Sequence, residues 1–333
     1  MTEYLLLTHP EQDRIYLEQS RPAVQAELSR LLPAWEAIPG TVAEVPACVL
    51  RGPSPLTEQE LAALCRASCY YALFLREGEL LRPVEPALWR ALPDSLNTIL
   101  KYPGKTNHRF TRLLVNLAAQ AADSLRPLPV LLDPMCGQGT TLFEAAIRGW
   151  NAIGIETLEQ PLHRGQVYFA KYLEHGRYKH SLREERITRE GKRLGQSVTV
   201  DYAVSREAWQ RQDTRFLRFI RGDSTQCSLL LPKGCADVIA CDLPYGVQHG
   251  AAGKEGLRRD AASLAAACAP GWLWALRPGG AAALAYNSLT TRREALAQGL
   301  EKAGFQVLPP LSGLEHRVDQ SILRDVIVAK KPK

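Results

Sequence analysis

The spacing of apolar and polar positions divides the chain into two stretches of different texture. In the first, Tyr4–Thr8, Val45–Leu50 and Tyr70–Leu75 are short apolar runs that read as strands. Pro22–Leu32 places Val24, Leu28, Leu31 and Leu32 at helical spacing, and Thr57-Glu58-Gln59-Glu60 has the residue types of a helix-opening capping box. Pro83, Pro86 and Pro93 punctuate the segment that follows. Residues 1–95 are therefore expected to form a small N-terminal α/β domain.

From about residue 98 the texture changes to alternating strands and helices. Pro129–Leu132, Ala152–Ile155, Phe216–Ile220, Val238–Cys241 and Ala281–Tyr286 read as buried strands. A helix carrying Leu142, Ala145, Ala146 and Trp150 follows the first of them. Further helices are expected at Gln160–Leu173, Leu257–Leu276 (interrupted by Pro270) and Arg292–Ala303. Such alternation predicts a mostly parallel sheet covered on both faces, with ligands bound beyond the carboxyl ends of its strands. This second domain is expected to span 96–333, with a basic insertion at about 175–214.

Residues 164–221 hold 14 Lys+Arg against 7 Asp+Glu, interleaved with Tyr168, Tyr172, Tyr178, Tyr202, Trp209 and Phe216. Basic groups neutralise phosphates and exposed aromatics stack on bases, so nucleic-acid binding is one reading. A solvated helical excursion whose aromatics pack on the domain is the other. Residues 1–95 carry 8 basic and 13 acidic groups and the remainder 33 and 22, so a polyanion is drawn to the second part.

With 333 residues, 46% of them hydrophobic and 23% charged, the chain has the make-up of a soluble globular protein. No signal peptide is read at the N-terminus and no run reaches membrane-span length, so the cytoplasm is the expected location. The eight cysteines lack paired metal-ligand spacing and are expected to be buried free thiols; no metal site is expected.

The sharpest chemical signal is Leu131-Leu132-Asp133-Pro134-Met135-Cys136-Gly137-Gln138-Gly139-Thr140-Thr141. An acid ends a buried strand, and two glycines let the backbone approach a ligand before a helix begins. A three-glycine GxGxxG arrangement is missing, which argues against a dinucleotide. Asp133 suits a cationic amino group such as that of S-adenosylmethionine. Glu156, 23 residues on at the tip of the second strand, can accept both ribose hydroxyls, although a nicotinamide enzyme uses the same device. Asp223, beside Ser224 after the third strand, can accept an adenine amino group.

These residues resemble the class I S-adenosylmethionine-dependent methyltransferases from about residue 98 to the end. Leu276-Arg277-Pro278-Gly279-Gly280 matches the turn before that fold's fifth strand, Ala303-Gly304-Phe305 the start of the sixth, and Arg324–Ala329 the antiparallel seventh. The resemblance implies a Rossmann-like sheet, S-adenosylmethionine as cofactor, and Asp133, Pro134, Cys136, Gly137, Gly139, Thr140, Glu156, Asp223 and Ser224 as its binding residues.

Asp242-Leu243-Pro244-Tyr245-Gly246, at the end of the fourth strand, resembles the Asp/Asn-Pro-Pro-Tyr/Phe motif of methyltransferases acting on ring-conjugated amino nitrogens. Such a nitrogen is a poor nucleophile because its lone pair is delocalised. If Asp242 and the Leu243 carbonyl accept its two N–H bonds, the lone pair is aimed at the sulfonium methyl. Tyr245 would stack on the base, which in a helix must first be flipped out. Leu243 replaces the usual first proline, keeping the carbonyl but relaxing the backbone. His249 lies just beyond.

Asp-Pro-Met-Cys-Gly-x-Gly-Thr with Asp-Leu-Pro-Tyr looks like the THUMP-associated RNA guanine-N2 methyltransferases, and Lys101–Asn107 resembles that group's segment upstream of the first cofactor motif. No full THUMP domain is recognised in the short acidic N-terminal part. The expectation is an enzyme that methylates an exocyclic amino group in RNA, most of all guanine N2 in tRNA, without membrane or metal. Adenine-N6 methylation of DNA or RNA is the nearest alternative. A catalytically silent RNA-binding protein and a nicotinamide oxidoreductase are further ones.

Overall fold

The structure, a computed structural model, describes residues 1–9, 14–87, 90–102, 104–189, 191–244 and 261–333. These residues group into two units, Met1–Trp89 with Pro310–Val326, and Arg90–Pro309 with Ile327–Lys333.

The first unit runs β1 (Thr2–Thr8), α1 (Arg14–Leu31), β2 (Glu36–Val42), β3 (Val45–Gly52), α2 (Glu58–Leu64), β4 (Tyr70–Glu77) and β5 (Leu80–Val84). The strands form an antiparallel sheet in the order β2-β3-β1-β4-β5. Tyr4, Leu6, Leu28, Leu50, Leu64 and Leu73 share its core with Trp35. Gly52 is required there, since a Cβ would stand 2.4 Å from the Trp35 indole. The capping box at Thr57 and Glu60 is formed in full. Sequence periodicity did not reveal β2 or β5: Pro39, Gly40 and Pro83 lie within them, and their burial is shallow.

The second unit begins with α3 (Ser95–Thr98), α4 (His108–Ala121), β6 (Val130–Asp133), α5 (Thr140–Ile147), β7 (Asn151–Glu156) and α6 (Glu159–His175). It continues with β8 (His180–Arg189), β9 (Lys192–Tyr202), α7 (Arg206–Gln210), β10 (Arg215–Arg221), α8 (Cys227–Leu230) and β11 (Ala236–Asp242). Then come α9 (Ala261–Ala275), β12 (Leu276–Asn287), α10 (Arg293–Ala303) and β13 (Gln306–Val307). The two-residue β14 (His316–Arg317), in the stretch that groups with the first unit, pairs with the start of β15 (Leu323–Lys330), whose last four residues return to the second.

The sheet order is β13-β15-β12-β11-β6-β7-β10-β9-β8. Strands β12, β11, β6, β7 and β10 are mutually parallel. All four residues of β6 and the first six of β11 are buried, as expected of strands covered on both faces. Lys331, just past β15, exchanges backbone hydrogen bonds with Gly279 and Gly280 near the start of β12, so β15 runs against it. This is the Rossmann-like sheet with a reversed seventh strand. Trp272, Leu132, Ile155, Ile239 and Leu284 belong to its core.

Two buried carboxylates tie the elements together. Asp237, with no exposure, accepts from Arg126 Nε (2.9 Å), Arg277 Nη1 (2.9 Å) and the Val130 N–H (2.8 Å) at the amino ends of the strands. Glu144 in α5 is held by Arg112 of α4 (3.1 Å) and by Arg148 (2.9 Å). Breaking such a pair costs about 3–5 kcal/mol, because the remaining buried charge is uncompensated.

The insertion is neither a helix nor an open loop. It is the β8–β9 hairpin, which extends the sheet antiparallel to β10. Tyr202 is buried edge-on against Phe169 (5.3 Å), and the Tyr168 hydroxyl donates to the Leu96 carbonyl (2.7 Å). Those two rings are packed into the domain. Pro270 also differs from expectation, since α9 continues through it.

Candidate active site

The carboxyl ends of β6, β7, β10 and β11 carry the acids singled out in the sequence. Asp133 follows the fully buried Leu131 and Leu132 and is itself only 3% exposed. Its carboxylate accepts from the Met135 N–H (3.0 Å) and from the side chain of Thr141. The chain then folds back on itself: the Cys136 N–H reaches the Ile155 carbonyl (3.0 Å) and the Gly139 N–H the Cys136 carbonyl (2.7 Å). Gly137 and Gly139 have φ of +52° and +93°, conformations that favour glycine.

This turn is clamped by its neighbours. A Cβ on Gly154 of β7 would stand 2.6 Å from Cys136 Sγ, and one on Gly165 of α6 would stand 2.2 Å from the Gln138 carbonyl oxygen. Buried Ser224 donates its hydroxyl to the Pro134 carbonyl, tying the segment after β10 to the same turn. Glu156 Oε2 accepts from the Gly137 N–H (3.0 Å), and its Oε1 from the Leu158 N–H (2.9 Å). Asp223 is exposed and accepts from the Thr225 N–H (2.8 Å).

Asp242 ends β11, next to β6 in the sheet, and is half-buried. Its Oδ2 accepts from the Thr106 hydroxyl at 2.7 Å. Leu243 is buried, its N–H bonded to the Ala285 carbonyl (2.9 Å), while Pro244 is exposed. Tyr245 and His249 lie outside the described residues.

The segment upstream of α4 supplies groups that sequence reading had not singled out individually. The Tyr102 hydroxyl lies 3.1 Å from that of Thr140, and Thr106 reaches Asp242. Lys105 donates to the Leu100 carbonyl (2.7 Å) and to that of Asn97. Burial, with Lys101 nearby, brings Lys105 down to about 8. Burial beside Arg109, Arg112 and Lys105 holds His108 down to about 4, so it is neutral near pH 7. The clue in the sequence was the resemblance of Lys101–Asn107 to a known segment; the partners within it depend on tertiary approach.

The electrostatics favour a cationic ligand. Burial pushes Asp133 up to about 7, with smaller contributions from the charges of Asp242 and Glu156. Among the described residues no ion pair reaches Asp133 or Glu156. The Cys136 and Cys241 thiols flanking Asp133 are pushed well up by burial and stay protonated. S-adenosylmethionine, with an ammonium and a sulfonium, fits this acid-rich turn. Among the described residues there is no group of three His, Cys, Asp or Glu side chains able to hold a metal ion. No helix among them is long and apolar enough to cross a membrane.

Comparison with known proteins agrees with the geometry. Residues 98–284 match the UPF0020 family, described as an RMKL-like methyltransferase domain. A stretch of 105 residues is 33% identical to "Putative methylase YubD" of Escherichia coli (strain K12), covering 32% of this chain and 42% of that protein. The chain thus spans about two fifths of the length of that curated relative. Among solved structures, TrmN from Thermus thermophilus aligns over 99% of this chain and 100% of its own at 18% identity and a TM-score of 0.45. The fibrillarin pre-rRNA processing protein of Methanococcus jannaschii aligns over 66% and 75% at 14% identity and a TM-score of 0.37. Because the family match covers more than half of the residues, the chain belongs to the RMKL-like methyltransferase domain family.

Proposed function

We propose that this enzyme methylates an exocyclic amino nitrogen of a base in RNA, with guanine N2 in tRNA as the leading target. The observation that carries the reading is the placement of Asp242. Its carboxylate stands at the end of β11, held by Thr106, and β11 is hydrogen-bonded to the strand that ends in Asp133. An acceptor of N–H bonds thus sits one strand from the acid assigned to the cofactor.

When bound, S-adenosylmethionine supplies an electrophilic methyl group. Asp133 would face its positive charge, the glycine turn through Pro134, Cys136, Gly137, Gly139 and Thr140 would lie along it, Glu156 would take the ribose hydroxyls and Asp223 the adenine edge, with Ser224 bracing the turn through Pro134. Asp242 and the Leu243 carbonyl accept the two N–H bonds of the target amine, which restores lone-pair density on nitrogen and fixes its direction. Pro244 fixes its own φ and restricts Leu243 before it, and Tyr245 would stack on the base. Once methylated, the nitrogen is strongly acidic and releases its proton without a strong base.

Nucleoside mass spectrometry on RNA from cells with and without the gene tests this proposal. Loss of N2-methylguanosine from the tRNA fraction supports it. Loss of N6-methyladenosine instead supports the alternative target, for which Asp242 is equally suited. An unchanged profile, with no methyl transfer by the purified enzyme to tRNA, rRNA or DNA, overturns both.

A further inference from the structure

The β8–β9 hairpin is placed by its register rather than loosely appended. Arg186, Gln196, Arg221 and Glu156 stand in one row across β8, β9, β10 and β7. Because β9 runs against β10, its first residues continue beyond the carboxyl end of β10, the end of the sheet that carries Asp133, Glu156 and Asp242. Four residues of β9 precede Gln196, so the tip reaches roughly 13 Å past that row at about 3.3 Å per residue.

The hairpin base is firmly seated. β9 pairs with β10 from Gln196 to Tyr202, and Val198, Val200 and Tyr202 are buried. Gly195 allows the strand to pass the end of β10: a Cβ there would stand 2.4 Å from the Arg221 carbonyl oxygen.

Charge separates the tip from the base. On the base, Arg183 pairs with Asp201 (3.0 Å) and Arg218 with Glu185 (3.4 Å), and Arg221 beside it pairs with Glu159 (2.7 Å). Residues 186–193 hold four cations, Arg186, Arg189, Lys192 and Arg193, against the single acid Glu190. Those four are exposed, and none has an acidic partner among the described residues. Arg189 donates to the Leu229 carbonyl (3.4 Å) and Arg193 to the Gln196 side chain (2.9 Å), both uncharged acceptors.

We infer that the hairpin tip is a phosphate-binding finger that grips the RNA substrate away from the methylated nucleotide. The inference rests on the reading of RNA as substrate. Four strand spacings, about 19 Å, separate β9 from β11, so the finger holds a flanking part of a folded RNA while Asp242 faces the target base. Such contacts set affinity and salt dependence and contribute little to the chemical step.

The test uses the full chain carrying K192E/R193E, with bulk tRNA as probe. The dissociation constant should rise about tenfold or more, and the dependence of log affinity on log salt should lessen by about 2. KM for tRNA should rise with kcat at saturation retained, and S-adenosylmethionine affinity and the thermal midpoint should match the wild type. R193K should restore binding, while R183Q on the neutralised base should stay within about twofold. An unchanged tRNA affinity in K192E/R193E, or an equal loss in R183Q, overturns the finger. So does duplex DNA of similar length binding as tightly as tRNA with the same loss in the variant. A wild-type protein that binds no tRNA overturns the RNA reading itself, which distinguishes the two failures.

Discussion

Thr106 donates to Asp242 Oδ2 at 2.7 Å from a segment more than a hundred residues away in sequence. Fixing that carboxylate fixes the direction from which it can accept a further hydrogen bond, which in the proposed function comes from the target amine. Hydrogen bonds to charged groups contribute about 1.5–3 kcal/mol, so Thr106→Ala should lower kcat roughly ten- to a hundredfold. S-adenosylmethionine affinity should be unchanged, and Thr106→Ser, which keeps the hydroxyl, should recover most of the activity. Steady-state kinetics with calorimetry would show this; equal activity in the Ala and Ser variants would remove Thr106 from the site. At this scale the sequence was uneven in what it disclosed. The positions of Asp133, Glu156 and Asp242 at strand ends were legible because each ends a buried apolar run in a parallel sheet. Thr106, Tyr102 and His108 were not, because their meaning lies in the approach of another strand or turn.

Among elements, the glycine turn owes its shape to the helix behind it. Gly165 packs α6 onto the Gln138 carbonyl so closely that any side chain must push the turn or the helix aside. Gly165→Ala should therefore destabilise the protein by about 2 kcal/mol or more and weaken S-adenosylmethionine binding in parallel. Gly191→Ala is the comparison: φ is +75° there but nothing lies within 4 Å, so about 1 kcal/mol of backbone strain is the expected cost. Thermal melts with and without S-adenosylmethionine separate the two, and equal behaviour would contradict the clamp. The parallel strands of this unit and helices α5, α6, α9 and α10 were readable from periodicity; α3, α7 and α8 were not. The β8–β9 hairpin was not: residues 181–186 are all exposed, so β8 has no apolar face to alternate, and β9 is buried on both faces through Ser197, Val198, Thr199 and Val200. The return of 310–326 to the first unit has no local signal either, since β14 is two residues long and its pairing is fixed by β15.

Across the whole molecule, two buried aspartates couple stability to pH in opposite directions. Asp237 lies below its ordinary value: hydrogen bonds from Arg126 and the Val130 N–H outweigh the upward push of burial. Its contribution is present above the unfolded value and is lost as pH falls through the lower folded value. Asp133 is raised from 3.8 to about 7, chiefly by burial, so the folded chain holds its proton longer than the unfolded one. Stability therefore falls as pH rises from about 4 through about 7, by at most about 4 kcal/mol at 1.36 kcal/mol per pH unit. A bound cation reverses this demand, because it favours the ionised carboxylate and releases the proton. S-adenosylmethionine should accordingly bind about tenfold more weakly for each pH unit below about 7. Its stabilisation at fixed concentration follows from that affinity, so the rise in thermal midpoint should be several degrees larger at about pH 8 than at about pH 6. Asp133→Asn removes both effects. The ligand-free midpoint should vary less between about pH 5 and 8, and added S-adenosylmethionine should no longer raise it. Scanning calorimetry of both proteins across that range decides the matter: a pH-dependent ligand shift that survives in the Asn variant would place the proton, and the cofactor's positive charge, somewhere other than Asp133.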